Sequence, residues 1–288
     1  MKSARLARRN VLDRPLESGL SILLLAFGVG IISLMLLMQR SINDDLDRNI
    51  KDIDLVLGAK GSPLQLILAN VYHVDVPTGN IPLAEAKKVM RHPYISEAIP
   101  LAYGDNYALF RIVGTEPSYP QHYEAQVKKG RQFENAFEVT IGSEVASSTG
   151  LDVGDTFYSA HGLTDGTDVH RDKAYTVVGI FGSTGAVIDQ LLLTPIESIW
   201  GVHEDVEDAD EEITAVLLKK KNPLAILTLP NLLRDTPMQV ALPAIEMNRL
   251  TQQFGIGLDT LRAVAMLIMG LSFVSVFIAL FASLRDRR

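Results

Sequence analysis

The sequence predicts a membrane protein of the α+β class: two transmembrane helices with stalk extensions, flanking an extracytoplasmic mixed α/β domain that carries a β-rich insert. Three features of the 288 residues point there. An uncharged apolar run lies near each end, an amphipathic stripe abuts each run on its inner side, and short strand and helix patterns alternate between the stripes.

From Gly19 to Met38 there are 20 residues without a charge, and from Ala263 to Leu284 there are 22; each run is long enough to cross roughly 30 Å of hydrocarbon. The first holds twelve Leu, Ile, Phe or Val residues, so at about 0.3 to 0.6 kcal/mol each its insertion is favoured by roughly 5 kcal/mol. Met38-Gln39-Arg40 follows it without a small-x-small cleavage site, which marks a retained anchor and not a cleaved signal. Lys2, Arg5, Arg8, Arg9 and Arg14 precede the first run, and Arg285, Arg287 and Arg288 follow the second. Against these eight stand five basic residues on the inner flanks: Arg40, Arg48, Lys51, Arg249 and Arg262. That bias places both termini in the cytoplasm. The expected division is a basic cytoplasmic N-terminus (1–18), a first span (19–38), an outside domain (39–262), a second span (263–284) and a cytoplasmic end (285–288).

The net charge of −7 is unevenly spread. The first 18 residues hold five basic and two acidic side chains, the last four hold three and one, and the remainder therefore carries −12. An acidic outer domain repels nucleic acid, whereas the basic ends suit anionic lipid headgroups. Cysteine is absent, which excludes disulfides and thiolate metal sites.

Beyond the first span, Ile42, Leu46, Ile50, Ile53 and Leu57 recur at spacings of four, four, three and four, the pattern of an amphipathic stalk helix over 41–57. Before the second span, Met247, Leu250, Phe254, Leu258 and Leu261 repeat it over 244–262, after a start near Pro243. The two stalks are expected to pack together and couple the spans to the domain. Between them, strands are expected at Ile95–Leu101 and Ala108–Val113 around a Gly104-Asp105-Asn106 turn, with a helix at Ala84–Arg91 before them. Phe137–Ile141, Thr156–Ser159 and Tyr175–Phe181 read as a β-rich insert. Leu191–Leu193 leads to a helix opened by Thr194-Pro195, a threonine cap and first-turn proline. Ile213–Lys219 and Met238–Leu242 close the pattern as strands, with Pro223–Arg234 helical between them.

Motifs of chemistry are sparse. No G-x-x-x-x-G-K-[ST] loop is present, so this chain is no P-loop ATPase by itself, and any use of ATP falls to a partner. No G-x-S-x-G elbow or S-x-x-K pair accompanies the serines; no catalytic, cofactor-binding or metal-ligating residue is assigned. His161 and His170, near Asp165, Asp168 and Asp172, read as a polar loop, as does the acidic run from His203 to Glu212. Within the spans, Ala26 and Gly30, then Ser275, Ala279 and Ser283, set small residues four apart, a row that allows close helix packing. No ionisable residue lies in either span, which removes the usual mark of a proton or ion path.

Three strings carry a family resemblance: LGAKGSPLQLIL (Leu57–Leu68), IGSEVASSTGLDVGDTF (Ile141–Phe157) and VVGIFGSTG (Val177–Gly185) with the following IDQLLLTPIESIW. With the order of elements, they resemble the FtsX-like permeases of bacterial ABC transporters, including the MacB and LolC/LolE types. The resemblance implies a porter-like periplasmic core domain, the bacterial inner membrane, and a homodimer or a pair of related permeases. It also implies a separate ABC ATP-binding subunit whose closure the stalks relay outward as mechanotransmission. Such permeases usually have four spans, so a chain ending at Arg288 is expected to be an N-terminal portion or a two-span subunit. The alternative reading is a two-span extracytoplasmic sensor or a non-transporting envelope scaffold.

Overall fold

A computed structural model describes residues 15–159, 173–202 and 211–285. They fall into two compact units, one comprising Met1–Asp44 with Asn248–Arg288 and the other Asp45–Met247.

The first unit is helical. Helix α1 (Pro15–Ile50) contains the one segment, among the described residues, long and apolar enough to cross a membrane, Ile22–Ile50; a shorter apolar stretch, Thr260–Val274, lies in helix α8 (Pro243–Arg285). Leu23, Phe27, Leu34 and Leu37 of α1 and Leu267, Phe273 and Phe277 of α8 are exposed, an outcome unfavourable in water by about 25 cal/mol per Å² and neutral in lipid. The helices meet at Gly28, where a Cβ would stand 2.5 Å from Met269 Cγ. Ala265 and Ser272, spaced seven apart, are buried, and Arg262 Nη2 donates to Gln39 Oε1 at 3.4 Å. Of the small-residue row expected on α1, Ala26 and Gly30 are exposed within this chain, and Gly30 has open space about it. Gly28 is the point of contact because only a residue without a side chain leaves room for Met269 there. The side chains of Ser275, Ala279 and Ser283 lie outside the described residues.

The second unit is built on one mixed sheet. Its strands, in chain order, are β1 (Leu55–Ala59), β3 (Ile95–Tyr107), β4 (Phe110–Thr115), β5 (Val127–Gly130), β6 (Glu138–Ile141), β7 (Thr156–Phe157), β8 (Tyr175–Phe181), β9 (Leu191–Pro195), β11 (Ala215–Lys220) and β12 (Met238–Ala241). They lie in the order β12-β1-β11-β3-β4-β9-β6-β8-β5, with β7 paired to β8. The pairs β4/β9 and β6/β8 are parallel and the others antiparallel. A separate ribbon pairs β2 (Ile81–Pro82) with β10 (Glu212–Ile213). Six short helices join the strands: α2 (Pro63–Asn70), α3 (Leu83–Met90), α4 (Ser118–His122), α5 (Ser143–Thr149), α6 (Ile196–Val202) and α7 (Ala225–Leu232). The central strands are apolar on both faces, since successive side chains alternate sides and Leu55, Val56 and Leu57, like Leu191, Leu192 and Leu193, are all buried.

The β-rich insert is joined to the same sheet through a narrow bridge. Strand β6 meets β9 at two residue pairs, Thr140 with Leu193 and Ile141 with Leu192, reinforced by the Thr194 hydroxyl donating to Glu138 O at 2.8 Å. That hydroxyl faces the sheet and Ser198 Oγ, which corrects the helix-cap role expected for Thr194; Pro195 likewise ends β9 opposite Thr115.

Two further expectations are corrected. The helix expected over 41–57 stops at Ile50, because Asp52 takes a left-handed conformation (φ 63°) and the chain turns into β1. Asp tolerates that conformation at one residue better than most. Ile53 and Leu57 are therefore buried in the domain, Leu57 in the middle of a strand. The hairpin turn falls at Ala108-Leu109, both at positive φ (46° and 71°), and not at Gly104-Asp105-Asn106, which lies inside β3 at an irregularity in its pairing. Gly104 serves packing: a Cβ there would stand 2.6 Å from Ile199 Cδ1 of α6.

Candidate functional site

Where α1 ends in the domain, its last residues are held by several hydrogen bonds from other segments. A helix leaves its last carbonyls without intrahelical partners, and here side chains from turns distant in sequence donate to its final stretch. Tyr72 OH donates to Leu46 O at 3.0 Å, and Tyr123 OH to Asn49 O at 3.3 Å. Ile53 N donates to Ile50 O at 3.0 Å and closes the final turn. Asn49 bridges: its Nδ2 donates to Asp45 O at 2.9 Å while its Oδ1 accepts from Val187 N at 2.8 Å. Arg48 Nη1 donates to Gly185 O at 2.5 Å and sits 3.7 Å from Asp45 Oδ1, a cation placed where the helix dipole favours one. Lys51 and Glu124 form an ion pair at 3.3 Å, but both are largely exposed, so the pair adds under about 1 kcal/mol.

Behind the capping phenols lies a buried network. Tyr119 packs edge-on to Tyr123, with ring centroids 5.3 Å apart, and its hydroxyl meets His73 Nε2 at 2.8 Å; Tyr103 OH meets His73 Nδ1 at 2.5 Å. One ring nitrogen donates and the other accepts, so both polar ends of the imidazole are satisfied. Arg111 lies over the Tyr103 ring at 5.0 Å and donates to Asp75 O at 2.5 Å. Burial, and secondarily the Arg111 charge, pushes His73 down to about 3. Burial likewise holds the phenols of Tyr72, Tyr103, Tyr119 and Tyr123 well above their usual range. All four stay protonated, and two keep donating to the carbonyls of α1. The chemistry of this arrangement is positional: every polar group in it is engaged in holding a neighbour.

The residues expected to couple the spans to the domain are placed as follows. Ile42 is exposed, Leu46 and Ile50 are half-buried, and Ile53 and Leu57 are buried. Met247 is buried, Leu250 half-buried and Leu261 exposed, while the side chains of Phe254 and Leu258 lie outside the described residues. The structure gathers Leu46 and Ile50 at the capped turn and leaves Leu57 in the core. Sequence reasoning missed Arg48, Asn49, Tyr72, His73, Tyr103, Tyr119 and Tyr123; the one available signal was that six of the eight tyrosines fall between positions 72 and 123.

Other sites carry less. Beside this junction, Asp52, Ile53, Glu97, His122 and Lys219 line a crevice of about 10 Å³, room for no more than a single water. Among the described residues, no group of three or more His, Asp or Glu is placed to hold a metal. The stretch with His161, Asp165, Asp168, His170 and Asp172, and the acidic run through Asp210, lie outside them.

Comparison with known proteins agrees with the family resemblance. A search of curated proteins finds no match. The periplasmic region of MacB from Actinobacillus actinomycetemcomitans is similar at 12% identity and a TM-score of 0.48, covering 70% of this chain and 95% of that one. The extracellular domain of the noncanonic ABC-type transporter YknZ from Gram-positive bacteria is similar at 13% identity and a TM-score of 0.43, covering 65% and 98%. A domain of a putative permease protein from Porphyromonas gingivalis follows at 15% identity and a TM-score of 0.36, covering 66% and 89%. Residues 18–226 match the family described as the MacB-like periplasmic core domain. That match takes in the capped turn of α1 and its tyrosine network and spans well over half of the sequence, and the chain belongs to the family of MacB-like periplasmic core domains.

Proposed function

We propose that the chain is the permease subunit of an ABC-type exporter or mechanotransmission complex. In this reading residues 19–38 and 263–284 both span the inner membrane, the termini are cytoplasmic, and the domain between them is periplasmic. A separate ABC ATP-binding subunit supplies the phosphate loop absent from this sequence, and a second copy or a related permease completes the pair. One observation carries the proposal: α1 is a single uninterrupted helix from its apolar stretch to Ile50, and its last turn is bonded to Tyr72, Tyr123, Gly185 and Val187, which come from three separate segments of the domain. A helix so attached passes displacement to the domain instead of slipping past it. Family membership supports the same reading.

The test is co-expression with candidate ATP-binding-cassette subunits from the same genome. Copurification and permease-dependent stimulation of ATP hydrolysis are expected, and Tyr72→Phe/Tyr123→Phe should retain binding while weakening stimulation. No association, with ATP hydrolysis unchanged, would overturn the proposal. Because native cysteine is absent, single-cysteine labelling reads the topology directly: Ser147→Cys, exposed on α5, should react with an impermeant maleimide from outside the membrane, and Arg5→Cys should not.

A further inference from the structure

Asp189 is a buried carboxylate in a short 3-10 turn, Val187–Gln190, immediately before β9. Its oxygens accept from Ser183 Oγ at 2.9 Å, Thr184 N at 2.9 and 3.0 Å, Thr184 Oγ1 at 3.0 Å and Gly185 N at 2.9 Å. A buried carboxylate is tolerated only when so fully bonded, and these bonds curl residues 183–186 around it. The outer side of the same loop is what α1 grips. Gly185 O receives Arg48, and Val187 N reaches Asn49 Oδ1. Gly185 holds φ at +69°, a conformation that favours glycine, and a Cβ on it would stand 2.6 Å from Arg48 Nη1 and displace that guanidinium. The turn continues into β9, the strand that bridges the insert to the rest of the sheet through two residue pairs. On the insert side, a Cβ on Gly142, ahead of α5, would stand 2.2 Å from Asp189 O.

We propose that Asp189 is a positioning residue for coupling: it shapes residues 183–187 into the receptor for the last turn of α1 and thereby ties that helix to the strand joining the two halves of the sheet. The proposal rests on the permease reading for its purpose, but the tie is a property of this chain alone. None of the residues singled out for coupling in the sequence lies in this loop, and Asp189 touches no residue of α1 itself in the bonds described above; it acts through Gly185 and Val187.

Hydrogen exchange on the full chain in detergent micelles tests it, comparing wild type with Asp189→Ala, Asp189→Asn, Asn49→Ala and the Asp189→Ala/Asn49→Ala double variant. Asp189→Ala should raise exchange at the amides of Thr184, Gly185 and Val187 by about tenfold and across residues 45–50 by about fivefold, leaving β1 and β11 within about twofold. Asp189→Asn, which keeps one accepting oxygen, should fall between and serves if the alanine variant does not fold. Asn49→Ala should loosen residues 45–50 without freeing Thr184, and the double variant should loosen them no further than Asp189→Ala alone. Multiplying effects in the double variant, an unchanged last turn of α1 beside a freed loop, or a uniform rise over the whole domain would each overturn the proposal. No partner enters the measurement, so its failure leaves the ATP-hydrolysis test standing. A failed copurification beside the expected exchange pattern would sink only the permease reading.

Discussion

The two ends of helix α1 are held by different physics. Along Gly19–Met38 the side chains are apolar and mostly exposed, and the described contacts are few: Gly28 against Met269, and Gln39 just beyond. At Leu46–Ile50 the backbone carbonyls and polar side chains are bonded one by one to Tyr72, Tyr123, Gly185 and Val187. Partition into an apolar medium is non-directional and leaves a helix free to rotate about its axis. Hydrogen bonds to named partners fix both rotation and register. The first segment is thus held without direction, and the second is held in a fixed rotation and register by a few bonds.

The sharpest way to break the comparison is at the residues where the sequence pattern ran past the helix. Leu57→Ala should destabilise the domain by about 2 to 5 kcal/mol, because a fully buried strand residue leaves a cavity. Ile42→Ala, at the first position of the same sequence stripe and exposed, should change it by less than about 0.5 kcal/mol. Thermal unfolding of the two variants checks this; equal effects would restore Leu57 to a stalk. Next, Leu25→Arg should disfavour membrane insertion by about 3 kcal/mol, read as loss of the protein from the alkali-resistant membrane fraction, with the domain's own unfolding unaltered.

A third measurement sharpens the polar end. His73 is neutral in the fold and binds its proton only near pH 3, whereas in the unfolded chain it does so near 6.5. The unfolded state therefore takes up a proton first as pH falls, and stability present above about pH 6.5 is lost at up to about 1.4 kcal/mol per pH unit on the way down. His122 is also lowered by burial, so the contribution is isolated as the difference between wild type and His73→Asn, a residue that tolerates the φ of 56° at this position. That difference should be constant above about pH 7 and move against the wild type between pH 6 and 4. Glu138 acts in a separate window: Arg131 beside it, then Asn135 and the amides of Glu134 and Asn135, hold its carboxyl well below the usual range against the opposing effect of burial. Its contribution is lost only as pH falls below about 4. Among the substitutions that break a buried contact, the smallest effect is expected from Tyr72→Phe and Tyr123→Phe, about 1 kcal/mol each, confined to faster exchange at residues 45–50.

Much of the fold was legible where the signal is local. Tyr175–Phe181 alternates buried and half-buried residues as a strand should, and α8 begins at Pro243, where first-turn proline suits amides that have no partner. The misreadings share a cause. Ile50, Ile53 and Leu57 keep helical spacing across a helix end, because the spacing of a few apolar residues cannot register one left-handed Asp between them. The turn at Ala108-Leu109 carries no turn residue at all; two ordinary side chains are held at positive φ by the strands that flank them.

The sequence by itself determined that an apolar helix enters an acidic mixed α/β domain and that no phosphate loop accompanies it, since partition and motif spacing are sums over neighbouring residues. Only the tertiary structure decided what holds that helix. Its partners lie at positions 72, 123, 185 and 187, with 73, 103 and 119 behind them, and they become neighbours only when the strand order β12-β1-β11-β3-β4-β9 closes. A hydrogen bond needs its two atoms within about 3 Å in the right orientation, a condition met by the three-dimensional path of the chain and invisible in its one-dimensional order.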